Sequence, residues 1–174
     1  KKAIAEETPA GGTYYPGSED VKKKFLENHK NAEIINPENG KFRAGEFVLI
    51  TGVEEEAYAV KNEAFCQIFD EVPLDVAANA ADFLPEAVEF CNTRLWGTLG
   101  SAILIDEDTK KNHLATLEQA VTDMEYGGIA INTMPPFIFL SPYLTWGGNE
   151  EGKQFVSGIG NFGNLLCYEN IEKS

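Results

Sequence analysis

The residues with the most reactive side chains are three cysteines, Cys66, Cys91 and Cys167, and two histidines, His29 and His113. A cysteine nucleophile needs a base beside it and a lowered pKa, and no spacing here pairs a histidine with a cysteine. Cys91 falls on the apolar stripe of a helical segment and Cys167 in an apolar run near the end, so both are expected in the core. Cys66, following Phe65 at a strand start, is harder to set aside. The histidines fall on helical segments, where a lone histidine is expected at the surface. With no C-x-x-C pair and no close Cys/His set, no metal site is expected. Asp106-Glu107-Asp108 opens like a calcium loop, but Lys111 stands where the loop needs its sixth-position glycine and Leu117 where it needs its twelfth-position acid. Gly158-Ile159-Gly160-Asn161-Phe162-Gly163 satisfies G-x-G-x-x-G, yet only eleven residues follow Gly163. No βαβ unit with a ribose-binding acid fits there, so it reads as a glycine-rich loop. Glu63, just before Ala64-Phe65, would by itself be an ordinary surface charge.

The elements that must position these residues can be read from periodicity. Pro16-Gly17 is a turn signal, and Ser18 is placed to cap a helix running to His29, with Val21, Phe25 and Leu26 inward. Glu46–Thr51 and Phe65–Val72 read as strands, ended by Gly52 and Pro73. Leu84, Ala87, Val88, Cys91 and Leu95 mark one face of a helix that Asp82 is placed to cap and Gly97 to stop. Leu99–Ile105 reads as a strand buried on both faces. Leu114, Leu117, Val121 and Met124 mark a second long helix closed by Gly127, and Ile129–Asn132 another buried strand. Thr133–Gly163 reads as long ordered loops, with Leu165–Tyr168 a last strand. Strands alternating with helices imply an α/β fold: a three-layer α/β/α arrangement with a largely parallel sheet and right-handed crossovers. No domain boundary is visible, so residues 1–174 are expected to form one domain.

The chain has 174 residues and a net charge of −14, with 14 Lys+Arg against 28 Asp+Glu. Between Ala44 and Thr109 stand 14 acidic residues and only two basic ones, Lys61 and Arg94. This balance argues against nucleic acid or an anionic membrane as partner, since both require Lys/Arg to neutralise phosphate. It reads as a solvated acidic face. An odd, small number of cysteines points to a reducing, cytoplasmic setting. Residue 1 is Lys rather than Met, without a signal-peptide pattern or an apolar run long enough to span a bilayer. The start is expected to be trimmed or the chain to be an excerpt.

Four landmarks follow one another in order: Glu63-Ala64-Phe65; Phe90-Cys91-Asn92-Thr93-Arg94-Leu95-Trp96-Gly97-Thr98-Leu99; Gly127-Gly128-Ile129-Ala130-Ile131-Asn132; and Trp146-Gly147-Gly148. Together they resemble the aldehyde dehydrogenase superfamily over roughly Ala57 to Gly163. That family's catalytic domain carries an E-x-F-G-P segment, a helix entering an aromatic-Gly-Leu turn and strand, a second helix, a G-x-x-x-[IV]-N strand and a P-F-G-G loop. The Phe90–Leu99 phrasing, Ser157-Gly158-Ile159-Gly160 and the ending Glu172-Lys173-Ser174 look closest to a long, atypical bacterial branch. Two departures stand out: Cys66-Gln67 where the family has Gly-Pro, and Thr145-Trp146 where it has Pro-Phe.

The resemblance implies that the chain is the C-terminal portion of an aldehyde dehydrogenase-like catalytic domain. It puts on Glu63 the contact to the nicotinamide-side ribose hydroxyls of NAD or NADP and on Phe65 the packing near the nicotinamide ring. A carboxylate can accept two hydroxyl hydrogen bonds and a ring offers an apolar wall. Asn132, ending the G-x-x-x-[IV]-N strand, is expected to hold the following loop. No Cys precedes Glu63, so the resemblance places the nucleophile and the cofactor domain upstream of Lys1. It implies a parent that oxidises a small-molecule aldehyde through a cysteine thiohemiacetal, in a family whose members are usually homo-oligomers. The 174 residues by themselves are expected to be inactive, with no catalytic residue and no bound cofactor. The competing readings are a non-enzymatic α/β module that keeps the fold for binding or assembly, and a transferase using NAD-like or CoA-like ligands.

Overall fold

The structure, a computed structural model, describes residues 13, 15–35, 46–149 and 161–174. Its contacts gather into two units, Lys1–Pro73 and Leu74–Ser174.

The first unit begins with helix α1, Ser18–Asn28, whose first turn carries Glu19 and Asp20, the sign that suits the positive end of a helix dipole. Ser18 is already helical, and its Oγ donates back to the Tyr15 carbonyl. Gly17, at φ 85, is therefore the residue before the helix, and Ser18 closes the turn instead of capping the helix. Phe25 is the buried anchor of α1. Strands β1 (Glu33–Ile35), β2 (Phe47–Thr51) and β3 (Ile68–Glu71), with the short helix α2 (Tyr58–Lys61) between the last two, complete the unit. The sheet order is β1-β2-β3. β1 is antiparallel to β2, and β2 is parallel to β3, with Val48 opposite Ile68 and Thr51 opposite Glu71. Val48, Leu49 and Ile50 are all buried, as a central strand with both faces covered requires. The strand expected from Phe65 begins only at Ile68, because Phe65 has φ 48 and cannot lie in an extended ladder.

The second unit is built on helix α3 (Ala80–Thr93), strand β4 (Gly100–Ile103), helices α4 (Glu107–Asn112) and α5 (Leu114–Asp123), and strand β5 (Gly128–Ile131). Helix α6 (Pro136–Leu140) and strands β6 (Trp146–Gly147) and β7 (Asn161–Gly163) follow. The Asn79 side chain, not that of Asp82, caps α3: its Oδ1 accepts the Asp82 N–H at 3.0 Å. Leu84, Val88, Ile103, Leu117, Ala120, Met124 and Tyr126 form the core, with Cys91 half-buried against it. β4 and β5 pair in parallel, Gly100 opposite Gly128 and Ile103 opposite Ile131. β6 and β7 pair antiparallel.

Several expectations change here. The long helix expected over Leu114–Met124 is preceded by a separate one, α4, capped by Asp106, whose Oδ1 accepts from the Asp108 and Thr109 N–H groups. The Leu99–Ile105 strand is not buried on both faces: Ile103 is in the core while Leu104 is 80% exposed. Leu165–Tyr168 is a turn, with Cys167 at φ 54. The terminal residues do extend the β4–β5 sheet, but through Ser174. Its carbonyl accepts the Ile129 N–H at 2.8 Å, and its own N–H donates to the Gly127 carbonyl at 3.0 Å. The chain is thus α/β, with parallel pairing at β2–β3 and β4–β5. Among the described residues no helix is long and apolar enough to cross a membrane.

Candidate functional site

Glu63 and Phe65 lie on the segment that joins α2 to β3, and both ends of that segment are tied down. On the α2 side, Ala59 and Val60 are buried, Lys61 pairs with Glu56, and the Asn62 side chain donates to the Tyr58 carbonyl at 2.9 Å. On the β3 side, the Val48 N–H donates to the Gln67 carbonyl at 2.9 Å, and Thr13 Oγ1 lies 3.3 Å from Gln67 Oε1. Between these anchors the backbone of Phe65 turns left-handed. Its ring is held edge-on by Tyr15, centroids 5.8 Å apart, and stays 62% exposed. The Glu63 carboxylate is exposed, and among the described residues no hydrogen bond or ion pair uses it. An unused carboxylate and an open aromatic face two residues apart fit a ligand edge bearing hydroxyls beside a flat ring.

The cysteines are all free thiols. Burial pushes the Cys66 thiol up, with Lys22 pulling down and Glu19 adding to the rise. Burial alone raises Cys91. A raised thiol is the opposite of an activated nucleophile. Cys167, expected in the core, is exposed. Gly158, Ile159 and Gly160 of the glycine-rich stretch lie outside the described residues. Among the described residues no group of three or more His, Cys, Asp and Glu is placed to hold a metal ion. His29, expected at the surface, is buried, because its ring packs on Phe25 and its Nε2 accepts the Ala59 N–H at 3.2 Å.

The remaining landmarks converge within the second unit. Asn132 has φ 54, a conformation that asparagine tolerates. Its side chain reaches Ile105 twice: Oδ1 accepts the N–H at 2.8 Å and Nδ2 donates to the carbonyl at 2.8 Å. It therefore continues the β4–β5 ladder for one more rung while the backbone turns away. Gly127 does not close α5 as expected; Met124 does, donating its N–H to Ala120. Gly127 instead lets Gly147 come close: a Cβ there would lie 1.8 Å from the Gly147 oxygen. Thr98 fastens the same loop, its carbonyl and Oγ1 accepting the Asn149 N–H at 3.2 and 3.1 Å.

Two residues whose role was not legible complete the frame. Asn92 donates to the Asp123 carbonyl at 2.8 Å and accepts the Glu125 N–H at 2.9 Å. Lys173 Nζ reaches the carbonyls of Val121, Thr122 and Met124 at 3.2, 2.6 and 2.9 Å. Together they satisfy the carbonyls that the end of α5 leaves open, and the ammonium suits the negative end of the helix. Separations of 31 and about 50 residues in sequence left no local signal for either.

No family model matches the chain, and no curated protein matches it. Solved structures do. A salicylaldehyde dehydrogenase from Pseudomonas putida G7, complexed with salicylaldehyde, is similar at TM-score 0.58 and 18% identity, over 86% of this chain and 27% of that one. A betaine aldehyde dehydrogenase from Staphylococcus aureus, in complex with NAD+, gives 0.58 and 17%, over 84% and 27%. An aldehyde dehydrogenase from Physcomitrella patens, in complex with the reaction product succinate, gives 0.53 and 26%, over 84% and 26%. The chain has the fold of part of an aldehyde dehydrogenase, and it spans 26–27% of the length of these three proteins. The similarity read from the ordered motifs is found again in three dimensions.

Proposed function

We propose that the chain is the C-terminal portion of the catalytic domain of an NAD(P)-dependent aldehyde dehydrogenase-like oxidoreductase, and that Glu63 and Phe65 form the edge of its cofactor site. The observation that carries this reading is the Glu63–Phe65 turn: a carboxylate without a partner among the described residues and a ring 62% exposed, on a segment anchored at both ends, at the position where the resemblance assigns them. Glu63 would accept hydrogen bonds from ribose hydroxyls, and Phe65 would offer an apolar wall to the nicotinamide. When bound, NAD or NADP supplies a hydride acceptor. Within the second unit, Asn132, Gly127 and Thr98 fix the exits of β4 and β5 and the Trp146–Gly148 loop. The nucleophilic cysteine and the dinucleotide-binding domain would come from the longer parent, and the 174 residues alone would not turn over aldehyde. The parent would be cytoplasmic, in keeping with three free thiols, and would act on a small-molecule aldehyde rather than on nucleic acid.

The test is Glu63→Gln in the full-length protein. Hydrogen bonds to a charged acceptor contribute about 1.5–3 kcal/mol. The variant should therefore raise KM for the dinucleotide by at least about tenfold. An unchanged KM removes the ribose contact from Glu63. A full-length protein that neither binds the dinucleotide nor oxidises any aldehyde favours a non-enzymatic module with the same fold.

A further inference from the structure

Helix α2 is four residues long, far too short to persist by itself in water, yet the Glu63–Phe65 turn hangs from its end. Its first N–H groups need acceptors, and the residue before it, Ala57, supplies no side-chain acceptor. The acceptor comes from 30 residues earlier: Nε2 of His29 takes the Ala59 N–H at 3.2 Å. His29 also closes α1, its backbone N–H donating to the Phe25 carbonyl at 2.9 Å. The imidazole lies against Phe25, and Phe25 meets Tyr58 of α2 edge-on with centroids 5.1 Å apart. At 8% exposure the ring is inside the unit. One residue therefore ends the first helix with its backbone and starts the second with its side chain.

An imidazole nitrogen accepts a hydrogen bond only while it carries no proton. The charged and titratable groups around it are Asp70 on β3, whose carboxyl senses the ring, Glu54 and Tyr58, which share its groove, and Lys30, next in the chain. Only one residue, Asn62, separates the end of α2 from Glu63, so whatever loosens α2 reaches Glu63 directly. We infer that His29 is a positioning residue for the Glu63–Phe65 turn, its Nε2 acceptor holding the start of α2. This rests on the turn being a cofactor edge.

The experiment is steady-state kinetics of the full-length protein with the dinucleotide varied. Loss of a cap costs about 1 kcal/mol, equivalent to roughly fivefold. His29→Ala should therefore raise KM for the dinucleotide roughly 3–10-fold, with kcat and the aldehyde KM held within about twofold. His29→Gln, whose amide oxygen accepts without titrating, should restore the dinucleotide KM to within about twofold. A fall in kcat alone on His29→Ala marks a merely structural role and overturns the inference. So do an unmoved dinucleotide KM and a His29→Gln protein whose dinucleotide KM rises as far as that of His29→Ala. Should His29→Ala fail to fold, His29→Leu, which fills the space without an acceptor, takes its place in the comparison with His29→Gln. Glu63→Gln run in parallel separates the failures: if it moves the dinucleotide KM and His29→Ala does not, only the role of His29 is lost, whereas if it moves nothing the cofactor edge itself is wrong.

Discussion

Gly127→Ala probes the close approach that joins two of the motif landmarks. An added Cβ would lie 1.8 Å from the Gly147 oxygen and 2.8 Å from the Gly147 carbonyl carbon, both backbone atoms. An ordinary carbon–oxygen contact is about 3.3 Å, so the Trp146–Gly148 strand would have to retreat by about 1.5 Å. That movement pulls Asn149 from Thr98, where its N–H now has two acceptors. It also pulls Trp146 from Gly163, its partner in the β6–β7 ladder. Overpacking costs about 1–3 kcal/mol and each lost hydrogen bond about 1 kcal/mol, for a total of about 3–5 kcal/mol. Gly97→Ala is the control. Gly97 has φ 101 with nothing within 4 Å of an added Cβ, so it should show backbone strain alone, about 1–2 kcal/mol. Urea unfolding followed by tryptophan fluorescence suits the comparison, because Trp96 and Trp146 are the only tryptophans and both belong to the second unit. If Gly127→Ala loses less than about 1 kcal/mol, or no more than Gly97→Ala, the packing of this loop on β5 is wrong.

Other perturbations test other parts of the frame. Lys173→Met should lower the urea midpoint of the second unit by the equivalent of about 1–2 kcal/mol, since two α5 carbonyls and that of the capping Met124 lose their donor. Asn132→Gly keeps the left-handed backbone accessible but removes both bonds to Ile105, and amide exchange at Ile105 should accelerate. Burial lifts the Asp70 carboxyl above its ordinary value, with its backbone hydrogen bond and then His29 opposing. A raised carboxyl binds protons more readily folded than unfolded, so its contribution to stability falls as pH rises from the unfolded value through the folded one. Asp70→Asn should therefore raise the unfolding midpoint of the first unit at pH 7 and make no difference at about pH 3. In a thiol titration of the native chain at about pH 8, exposed Cys167 should react well ahead of Cys66 and Cys91, whose thiols burial has raised.

The periodic features were legible because they are local. The Leu84–Val88–Cys91 stripe, the β2 run and the β5 run each state their element in a few residues, and each forms close to where expected. Errors arose where tertiary contacts override local signals. His29 looked like a solvent-facing helix residue because nothing near it in sequence announces that Ala59, 30 residues on, needs an acceptor. Gly127 looked like a helix cap because its crowding by Gly147 is a long-range fact. Leu104 looked buried because apolar strands usually are. The Leu165–Tyr168 run is apolar enough for a strand, but Cys167 turns left-handed. At the candidate site, the order of four short motifs pointed to Glu63 and Phe65. The left-handed turn at Phe65 that leaves its ring open, and the double anchoring of the segment, depend on contacts distant in sequence, such as Tyr15 on Phe65 and Val48 on Gln67.

The central claim is that the Glu63–Phe65 turn meets the nicotinamide end of a dinucleotide, and a crystal structure of the full-length protein with bound NAD or NADP tests it most directly. The account predicts the Glu63 carboxylate within hydrogen-bond distance, about 2.5–3.0 Å, of the nicotinamide-side ribose hydroxyls, with the Phe65 ring against the nicotinamide. A dinucleotide bound elsewhere, with Glu63 still facing water, would contradict it.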